Sequence, residues 1–514
     1  MAQPLLDVDG IGDPFILAPP DTEMKKMLDD AQSLLARKPE ILQRISADQD
    51  AWGLAKKELR QADQRWAAAQ TLPLPGVAWE ELPSMRVEAL SLLEGRPRMP
   101  AEVVYVFSLL RGYLGSLTDK QVQDRLVDST TLQWYLHQRG LFFPGWSTLV
   151  ENVNAISNET RSLMLDAQLE IILGEGLDDF LETIVDSTAI EANSAWPTDS
   201  RLLLGLLERA FRRSQKLDAF GLDNLPTWWM PKWLEKLAKL HFRINNVAGK
   251  ARSKGKLKKY YRQFLRTTQK MLEYLMSECV ARAPLEEAPL LAPSRRLLLD
   301  RLWERLVGDI SDACAVYQYT EERIFEGIVQ PAEAKKLSLS DESAAFIEKG
   351  QRQSVIGYKP QLGRSGGGFV TALQVPPGNA ADAPQLVPLM DEVQQRTGIL
   401  PKRVSADDGY TSEEGRTQLL KKGVEDVSFS GSKGKQLIPE DDWESEVYQQ
   451  LRRGRSAVES LIFVLKHCFA FGRLRRRGLE EVRAELLEKV IAYNFVRMGL
   501  VRQAQQETPF SKAA

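Results

Sequence analysis

Three charged residues near the end of the sequence have the spacing of a single helix face. At about 100° per residue, Arg455, Glu459 and Lys466 share one narrow stripe of an α-helix, and Arg452 lies just beside it. The apolar residues of this segment fall on the opposite, core-facing side: Leu461, Val464, Leu465 and Cys468. A single carboxylate flanked by guanidinium and ammonium groups suits a site that holds a divalent metal ion and a phosphate backbone. The alternative is a solvated charged face, in which Arg455 pairs with Glu459 across one helical turn.

Two further acidic residues, Asp186 and Asp407, are predicted at the ends of strands, where they could complete such a metal site. Asp186 and Asp407 each follow a run of strand-forming residues, and α/β sheets commonly carry ligand-binding and catalytic groups at the carboxyl ends of strands. Three converging carboxylates repel one another unless a cation neutralises them, and Mg²⁺ prefers carboxylate, water and phosphate oxygens. Two such ions, ~4 Å apart, can activate a water and stabilise the leaving oxygen of a phosphodiester. Taken singly, either aspartate is better explained as a turn or cap residue, and Asp408 competes with Asp407 for the second position.

The composition excludes several other kinds of site. A chain of 514 residues is too long for one core and suggests roughly three domains, and its net charge of −2 gives no overall attraction to nucleic acid. The cysteines and histidines are isolated in sequence, which argues against a disulfide framework, a structural zinc site and a His-based catalytic site. No stretch of 18 apolar residues and no signal-peptide pattern occurs, so we expect a cytoplasmic protein without a membrane partner.

The periodicity of apolar residues predicts helices in the first third of the chain and a mixed pattern afterwards. Helices are expected over 22–70, with breaks at Pro39 and Asp48, and over 101–175, with turns at 116–118 and 143–146; a proline-rich linker joins them at 71–100. A strand is expected at 180–188, and a helix capped by residues 197–200 follows at 200–214. Beyond residue 340, the pattern predicts a hairpin of strands 355–359 and 368–375 with a Gly-rich turn at 366–368, strands at 403–406 and 426–429, and helices at about 383–396, 412–422, 441–472 and 479–503.

This order of elements predicts a mixed α/β (α+β) fold with three regions. The first is a helical N-terminal region at 1–95. The second, at 96–175, is a helical module that is compatible with a DNA-binding helix-turn-helix or with a plain bundle. The third, at 176–505, is a catalytic domain with a large helical insertion at about 200–345, after the first strand.

The insertion contains a strongly basic segment. Between residues 232 and 270 there are thirteen Lys or Arg residues and one acid, Glu235, with aromatic residues interleaved. The candidates for DNA binding are Lys254, Lys256, Lys258, Lys259 and Arg262. The segment fits a surface that follows a phosphate backbone and stacks on bases. The alternative is a solvated helix pair whose aromatic residues are part of the core.

Several motifs together resemble bacterial insertion-sequence DDE transposases. The block Val185-Asp186-Ser187-Thr188-Ala189-Ile190-Glu191-Ala192-Asn193, followed by Pro197-Thr198-Asp199-Ser200, is similar to the first-aspartate block of that family. Gly357-Tyr358-Lys359 and Gly378-Asn379 with Asp382 are similar to its intervening hairpin region, and Ala406-Asp407-Asp408-Gly409-Tyr410 resembles its second-aspartate motif. Arg455, Glu459 and Lys466 match the last three letters of the Y-R-E-K signature, and residues 101–155 resemble the helical N-terminal module. The resemblance covers about 100–500.

The resemblance implies an RNase H-like core in which Asp186, Asp407 and Glu459 are catalytic and bind two Mg²⁺ ions, with Mn²⁺ able to substitute. It implies an enzyme that cleaves DNA at transposon ends and transfers the strands into target DNA, with Arg452, Arg455 and Lys466 on phosphates. The expected partners are double-stranded DNA, as terminal inverted repeats and target, and further copies of the chain in a dimer or higher oligomer. The expected location is the cytoplasm, associated with the nucleoid.

Two positions depart from the family pattern and keep two alternatives open. Asp408 stands where the second motif usually has Arg, and Arg452 stands where the signature has Tyr. One alternative is an RNase H-like nuclease or resolvase without strand transfer. The other is a catalytically inactive DNA-binding protein derived from a transposase.

Overall fold

The computed structural model describes residues 22–69, 99–141, 145–194, 196–218, 220, 229–280, 291–348 and 354–507. The helices and strands in chain order are α1 Glu23–Arg37, α2 Glu40–Ala69, α3 Ala101–Tyr113, α4 Asp119–Asp128, α5 Thr130–His137, α6 Trp146–Ala155, α7 Asn158–Gly174, β1 Glu182–Ser187, β2 Ile190–Glu191, α8 Asp199–Asp218, α9 Met230–Val247, α10 Lys254–Tyr274, α11 Pro293–Glu321, β3 Ala345–Ile347, β4 Val355–Tyr358, β5 Gln361–Ser365, β6 Val370–Gln374, α12 Leu386–Thr397, β7 Arg403–Ala406, α13 Glu413–Lys422, β8 Asp426–Phe429, α14 Ser432–Leu437, α15 Glu440–Glu444, α16 Glu446–Gly454, α17 Ser456–Cys468 and α18 Leu479–Glu507.

The chain forms two compact units. The first, called the sheet unit below, consists of Met1–Trp52, Pro97–Asn193 and Ser343–Ala514. The second, called the insertion unit, consists of Gly53–Arg96 and Ser194–Glu342. The mixed α/β class expected from the sequence is confirmed, since strands and helices alternate within the sheet unit. The expected division at 1–95, 96–175 and 176–505 stays a prediction.

A mixed five-stranded sheet organises the sheet unit, with the strand order β6-β5-β1-β7-β8. Strand β1 lies at the centre, antiparallel to β5 and parallel to β7, and β7 is parallel to β8. The apolar side chains of one face pack on α12, α13 and α16 in a core that includes Val185, Val404 and Phe429. Most residues of the three short strands β1, β7 and β8 are buried, including the polar Ser405 and Ser428, which alternate with apolar residues.

The predicted hairpin between 355–359 and 368–375 is wrong. Its second strand, β6, pairs instead with β5, and the Gly-rich turn joins those two strands. Strand β4 belongs to a separate three-stranded sheet of order β2-β4-β3. In this sheet β4 crosses β2 so closely that a Cβ on Gly357 would lie 1.8 Å from the carbonyl oxygen of Ile190, which only glycine avoids. Strand β5 was missed because Gly363 and Arg364 interrupt its apolar alternation.

The helices of the first third pack in the same unit as the sheet. Helix α3, which is almost wholly buried, lies against α18, and a Cβ on Gly112 would lie 2.1 Å from the carbonyl oxygen of Glu488.

The break expected at Pro39 is confirmed between α1 and α2. The break expected at Asp48 is wrong, because its carboxylate accepts hydrogen bonds from Ser157 and Thr160 at the start of α7 while its own helix continues. The linker at 71–100 lies almost wholly outside the described residues, as do residues 143 and 144 of an expected turn.

The single helix expected at 441–472 is three helices in the structure. Helices α15, α16 and α17 are separated at Ser445 and Arg455, and Gly454 precedes the second break. Arg452 therefore lies on α16, whereas Glu459 and Lys466 lie on α17. The opposite face of α17 is only partly buried, since Leu461 and Leu465 are buried but Val464 and Cys468 are exposed.

The insertion unit is helical, as expected. The cap at residues 197–200 is confirmed, with the backbone N–H of Arg201 donating to the Thr198 hydroxyl at the start of α8. Helices α8 to α11 share an apolar core that includes Leu206, Phe264 and Leu306. In the part of the chain that the structure describes, no helix combines the length and apolarity that crossing a bilayer requires.

Candidate active site

Asp186 and Asp407 lie side by side at one edge of the five-stranded sheet. The parallel strands β1 and β7 are in register as far as Val185 and Ala406, and the next residue of each strand is one of the two aspartates. The sequence therefore delivers two carboxylates to the same carboxyl edge from positions 221 residues apart in the chain.

The guanidinium of Arg455 contacts all three predicted catalytic carboxylates. Its Nη2 lies 3.3 Å from Oδ2 of Asp186 and 3.8 Å from Oδ2 of Asp407. Its Nη1 donates to Oε1 of Glu459 at 2.9 Å. Because Arg455 stands at the break between α16 and α17, its side chain reaches the sheet edge while the next turn presents Glu459 to the same guanidinium.

The three carboxylates differ strongly in solvent exposure. The exposed fractions of their side chains are 9% for Asp186, 32% for Asp407 and 60% for Glu459. Backbone N–H groups help to hold the two aspartates, since Ser187 donates to Oδ1 of Asp186 at 2.7 Å and Gly409 donates to Oδ1 of Asp407 at 2.9 Å. The site is thus rigid at its buried end and open to solvent at Glu459.

A fourth carboxylate, Asp382, lies close to this site. Its Oδ2 accepts from Lys359 Nζ at 2.8 Å, and its Oδ1 accepts from Gln361 Nε2 at 3.0 Å. A Cβ on Gly409 would lie 3.0 Å from Oδ1 of Asp407 and 3.1 Å from Oδ2 of Asp382. In the sequence, Asp382 stands out only as part of a motif, and its position before a helix gives no signal of a role in the site.

The buried hydroxyl of Tyr410 is hydrogen-bonded to Gln361, which in turn contacts Asp382. This hydroxyl donates to Gln361, and burial raises its pKa, as do the nearby carboxylates of Asp382, Asp186 and Asp407. Tyr410 is therefore a neutral donor in the core beneath the acidic edge, and it fixes the short turn that carries Asp407.

Asp408 points to a different neighbour from Asp407. Partial burial opposes ionisation of its carboxyl, but hydrogen bonds from the backbone N–H groups of Gly434 and Lys433 outweigh this effect and lower its pKa. Asp408 thus caps the start of α14, and the structure places Asp407 rather than Asp408 at Arg455.

The two remaining predicted phosphate contacts have different surroundings. Lys466 Nζ donates to the carbonyl oxygen of Ala189 at 3.1 Å, beside the segment that leaves β1. The guanidinium of Arg452 stacks on Trp443, with 3.9 Å to the ring centroid, and donates to the Trp443 carbonyl oxygen. The sequence predicted Arg452 just beside the stripe of Glu459 and Lys466 on one helix, but Arg452 lies on α16 because the helix is broken between it and Glu459.

The donor set fits a hard divalent cation. Asp186, Asp407 and Glu459 supply carboxylate oxygens, the ligands that Mg²⁺ and Mn²⁺ prefer, and they already converge on one positive group. Among the described residues, no group of three or more acidic, His or Cys side chains is already arranged to hold a metal ion. The guanidinium lies between the carboxylates, so metal binding requires Arg455 to move.

In the insertion unit, the basic segment is fully displayed to solvent. All thirteen Lys and Arg residues between 232 and 270 are exposed on α9, α10 and the turn between them, and these include Lys254, Lys256, Lys258, Lys259 and Arg262. Glu235 pairs with Lys239 at 2.6 Å. Of the interleaved aromatic residues, Tyr261 and Phe264 are buried in the core, Trp233 and Tyr260 are partly buried against it, and Phe242 is exposed.

Comparison with known proteins identifies one family. Residues 331–495 match the family described as transposase DDE domain. The resemblance expected from the sequence is thereby confirmed, and the matched segment contains Asp407, Arg455, Glu459 and Lys466. Asp186 precedes the insertion and lies outside the matched segment. Neither a curated protein nor a solved structure matches the chain.

Proposed function

Because residues 331–495 match the family described as transposase DDE domain, we propose that the chain is an enzyme that cuts DNA at transposon ends and joins those ends to target DNA. The observation that carries this proposal is the convergence of Asp186, Asp407 and Glu459 on the guanidinium of Arg455. An acidic centre of this kind, at the edge of a mixed sheet interrupted by a helical insertion, agrees with an RNase H-like core.

The three carboxylates are proposed to bind two Mg²⁺ ions, with Mn²⁺ able to substitute. When bound, the ions would lower the pKa of a water and neutralise charge on the scissile phosphate. Asp186, the most buried carboxylate, is held by the Ser187 N–H and would fix the position of the site. Arg455 and Lys466 would orient the phosphates, because catalysis of phosphoryl transfer depends mainly on positioning and charge neutralisation.

The proposed reaction has two displacements at phosphorus. In the first, a water oxygen bonds to the phosphorus at the transposon end, and the bond to the 3′ oxygen breaks to release a 3′-hydroxyl. In the second, this hydroxyl attacks a phosphodiester of target DNA and releases a target 3′-hydroxyl. The number of phosphodiester bonds is unchanged in the second step, so strand joining needs no external energy source.

Two surfaces are proposed to bind DNA outside the catalytic site. The helices at 101–175 would recognise the terminal inverted repeats, and the exposed cations of α9 and α10 would hold the DNA backbone. Since two ends must meet for strand joining, we propose a dimer or higher oligomer, working on the nucleoid in the cytoplasm.

The experiment that tests the proposal measures cleavage and joining of DNA that carries the repeats flanking the gene. The variants Asp186→Asn, Asp407→Asn and Glu459→Gln should each lower both activities about 100-fold or more, because each removes one charged ligand. Affinity for the same DNA should stay within about threefold, since DNA binding depends mainly on cationic residues elsewhere.

The matched control is Asp426→Asn, which neutralises a carboxylate at the opposite edge of the same sheet. This variant should keep full activity. Cleavage without joining would identify a nuclease or resolvase, and DNA binding without either activity in the wild-type chain would identify an inactive derivative. Full activity of the three site variants would refute the proposed site.

A further inference from the structure

A cavity of about 320 Å³ lies in the sheet unit, between the early helices and the first turns of α18. Among the described residues that line it, none is Asp186, Asp407 or Glu459, so the cavity is separate from the candidate active site. Four of the lining side chains are cationic, namely Arg111, Arg475, Arg476 and Lys489.

The carboxylates that line the same cavity are already paired. Asp119 Oδ1 lies 3.0 Å from Arg111 Nε, and Glu485 Oε1 accepts from Lys489 Nζ at 2.6 Å. The third carboxylate, Glu488, is also held by cations, as the next paragraph describes. A ligand that enters the cavity therefore meets acids whose charge is largely neutralised.

Arg476 has a donor that this cluster does not use. Its side chain is only 10% exposed, and its Nη2 donates to Glu488, which also accepts from Arg161 at 2.9 Å. Its Nη1 is buried and makes no hydrogen bond to any described residue, and Oε2 of Glu481 lies 3.8 Å from it. Because a buried N–H group without an acceptor is costly, this nitrogen is a donor suited to a ligand.

Positive charge is in excess around the cavity. The side chain of Arg475 donates to the carbonyl oxygen of Ser116, and it forms no ion pair within the part of the chain that the structure describes. Burial lowers the pKa of Lys489, and the neighbouring Arg475 and Arg476 lower it further although Glu485 opposes the shift. The cations of the cluster thus repel one another, and an anion among them would relieve this repulsion.

The remaining lining groups also favour an anion. Thr118 and Asp119 bring the start of the ten-residue helix α4 to the cavity, and the N–H groups and dipole of a helix N-terminus attract negative charge. Arginine side chains bind phosphate oxygens through paired, charge-assisted hydrogen bonds. A phosphate group matches both the charge and the donors of this site.

We propose that the cavity is a phosphate-binding site in which Arg475 and Arg476 hold the phosphate oxygens at the start of α4. The phosphate belongs to a free phosphate ion or to DNA, and both sources offer the same anionic oxygens. The site goes beyond the proposed function, since it uses none of the three carboxylates of the cutting and joining reaction.

Calorimetric titration of the full chain with inorganic phosphate tests this proposal, without divalent metal and with the ionic strength held constant by sodium chloride. The wild type should bind phosphate saturably, and phosphate should raise its melting temperature. Arg475→Gln should weaken binding about tenfold, because a charged donor is lost. Arg475→Lys keeps the charge but not the planar fork, so its affinity should lie between the two.

A second variant should change the affinity in the opposite direction. Asp119→Asn neutralises a carboxylate that repels the phosphate, so binding should become about threefold tighter or more. A residue that only supports the fold would not produce this gain. The matched control is Arg473→Gln, which removes an exposed arginine of the same loop and should bind phosphate as the wild type does.

Competition with DNA distinguishes the two sources of the phosphate. If phosphate displaces a 30-bp duplex at constant ionic strength, and Arg475→Gln abolishes this effect, the site takes a phosphate of DNA. If duplex binding is unaffected, the site takes the free ion, and both results support the proposal. Absence of saturable phosphate binding in the wild type, or equal affinity in the wild type, Arg475→Gln and Asp119→Asn, would overturn it. DNA cutting and joining by the wild type would still be measurable in that case, so the proposed function stands or fails separately.

Discussion

At the residue scale, Arg455 is the counter-charge on which the acidic site depends. Three carboxylates meet at one guanidinium, and Asp186 is largely removed from water. Without a nearby cation, these carboxylates would repel one another, most strongly at Asp186, where burial reduces screening by water. Arg455 therefore stabilises the metal-free arrangement, and a divalent ion that binds there competes with its guanidinium.

Substitution of Arg455 should separate its stabilisation of the metal-free site from its competition with a divalent ion. Arg455→Gln should lower the free energy of unfolding of the metal-free protein by about 1–3 kcal/mol, because the buried carboxylate of Asp186 loses a charged partner. Addition of millimolar Mn²⁺ should then raise the melting temperature more in this variant than in the wild type. Thermal unfolding with and without Mn²⁺ measures both quantities.

Arg453→Gln is the matched control, since this neighbouring arginine is exposed and no contact of its side chain with the three carboxylates is seen among the described residues. It should leave the melting temperature and its response to Mn²⁺ unchanged. An identical response to Mn²⁺ in Arg455→Gln and the wild type would mean that the guanidinium does not compete with the ion.

At the element scale, a buried ionic network attaches the early helices to α18. Glu488 of α18 is 3% exposed and accepts from Arg161 of α7 at 2.9 Å and from Arg476. Arg111 of α3 lies 3.9 Å away. Burial alone would raise the pKa of Glu488, but the three guanidinium groups outweigh it and lower the pKa to about 2.

Removal of this carboxylate charge should destabilise the sheet unit. Glu488→Gln leaves several buried cations without their anion, so the free energy of unfolding at pH 7 should fall by about 3 kcal/mol or more. Urea denaturation followed by circular dichroism measures the change. Glu507→Gln, at the exposed end of the same helix, should have no effect.

The same network predicts how stability depends on pH. Because the folded pKa of Glu488 lies below its ordinary value of 4.5, its contribution is complete above about pH 4.5 and is lost as the pH falls towards 2. The difference in stability between the wild type and Glu488→Gln should therefore shrink across this interval. A constant difference from pH 7 to pH 2 would show that the charge of Glu488 is not what stabilises α18.

The elements that the sequence predicted well are those whose own residues determine them. Strands β1, β7 and β8 are short segments in which an apolar residue comes directly before a polar one, and α18 is rich in helix-forming residues such as Leu, Glu and Arg. The break at Gly454 and Arg455 was missed because the apolar spacing continues on both sides of it. The ionic network of Glu488 was not predictable, because Arg111 and Arg161 come from remote segments and only the fold brings them to Glu488 and Arg476.

The same distinction applies to the candidate site. The types and strand-end positions of Asp186 and Asp407 identified them, and register between β1 and β7 then places them together. From the sequence, Asp407 and Asp408 are competitors, and the choice depends on Lys433 and Gly434, whose backbone N–H groups donate to the Asp408 carboxylate at the start of α14. Asp382 was not recognised because its relation to Asp407 depends on the turn at Gly409.

At the scale of the whole molecule, the nearly neutral net charge hides a concentrated basic surface. The chain has 68 basic and 70 acidic residues, yet the segment 232–270 exposes thirteen cations with one acid. Binding through such a surface releases counterions from DNA, so the affinity should fall steeply as salt rises.

Replacement of two lysines should reduce this salt dependence measurably. In Lys258→Gln/Lys259→Gln, the slope of log affinity against log salt concentration should become less steep by about 1–2, since each lost phosphate contact contributes about 0.9. Fluorescence anisotropy at several salt concentrations gives the slope. Lys56→Gln/Lys57→Gln removes an equally exposed adjacent pair from α2 and should leave it unchanged. Equal slopes in both double variants would exclude α10 from the DNA-binding surface.

The exposure of the three carboxylates increases from Asp186 to Glu459, so the candidate site has a buried end and a solvent-exposed end. Asp186 is anchored in the sheet, whereas Glu459 projects from a separate helix into bulk water. A long, stiff polymer can approach only from the outer side, so we expect the outermost acid to be the last to reach its working position. Incoming DNA would shield Glu459 from water. The three carboxylates would then reach their catalytic arrangement only when the DNA substrate is bound.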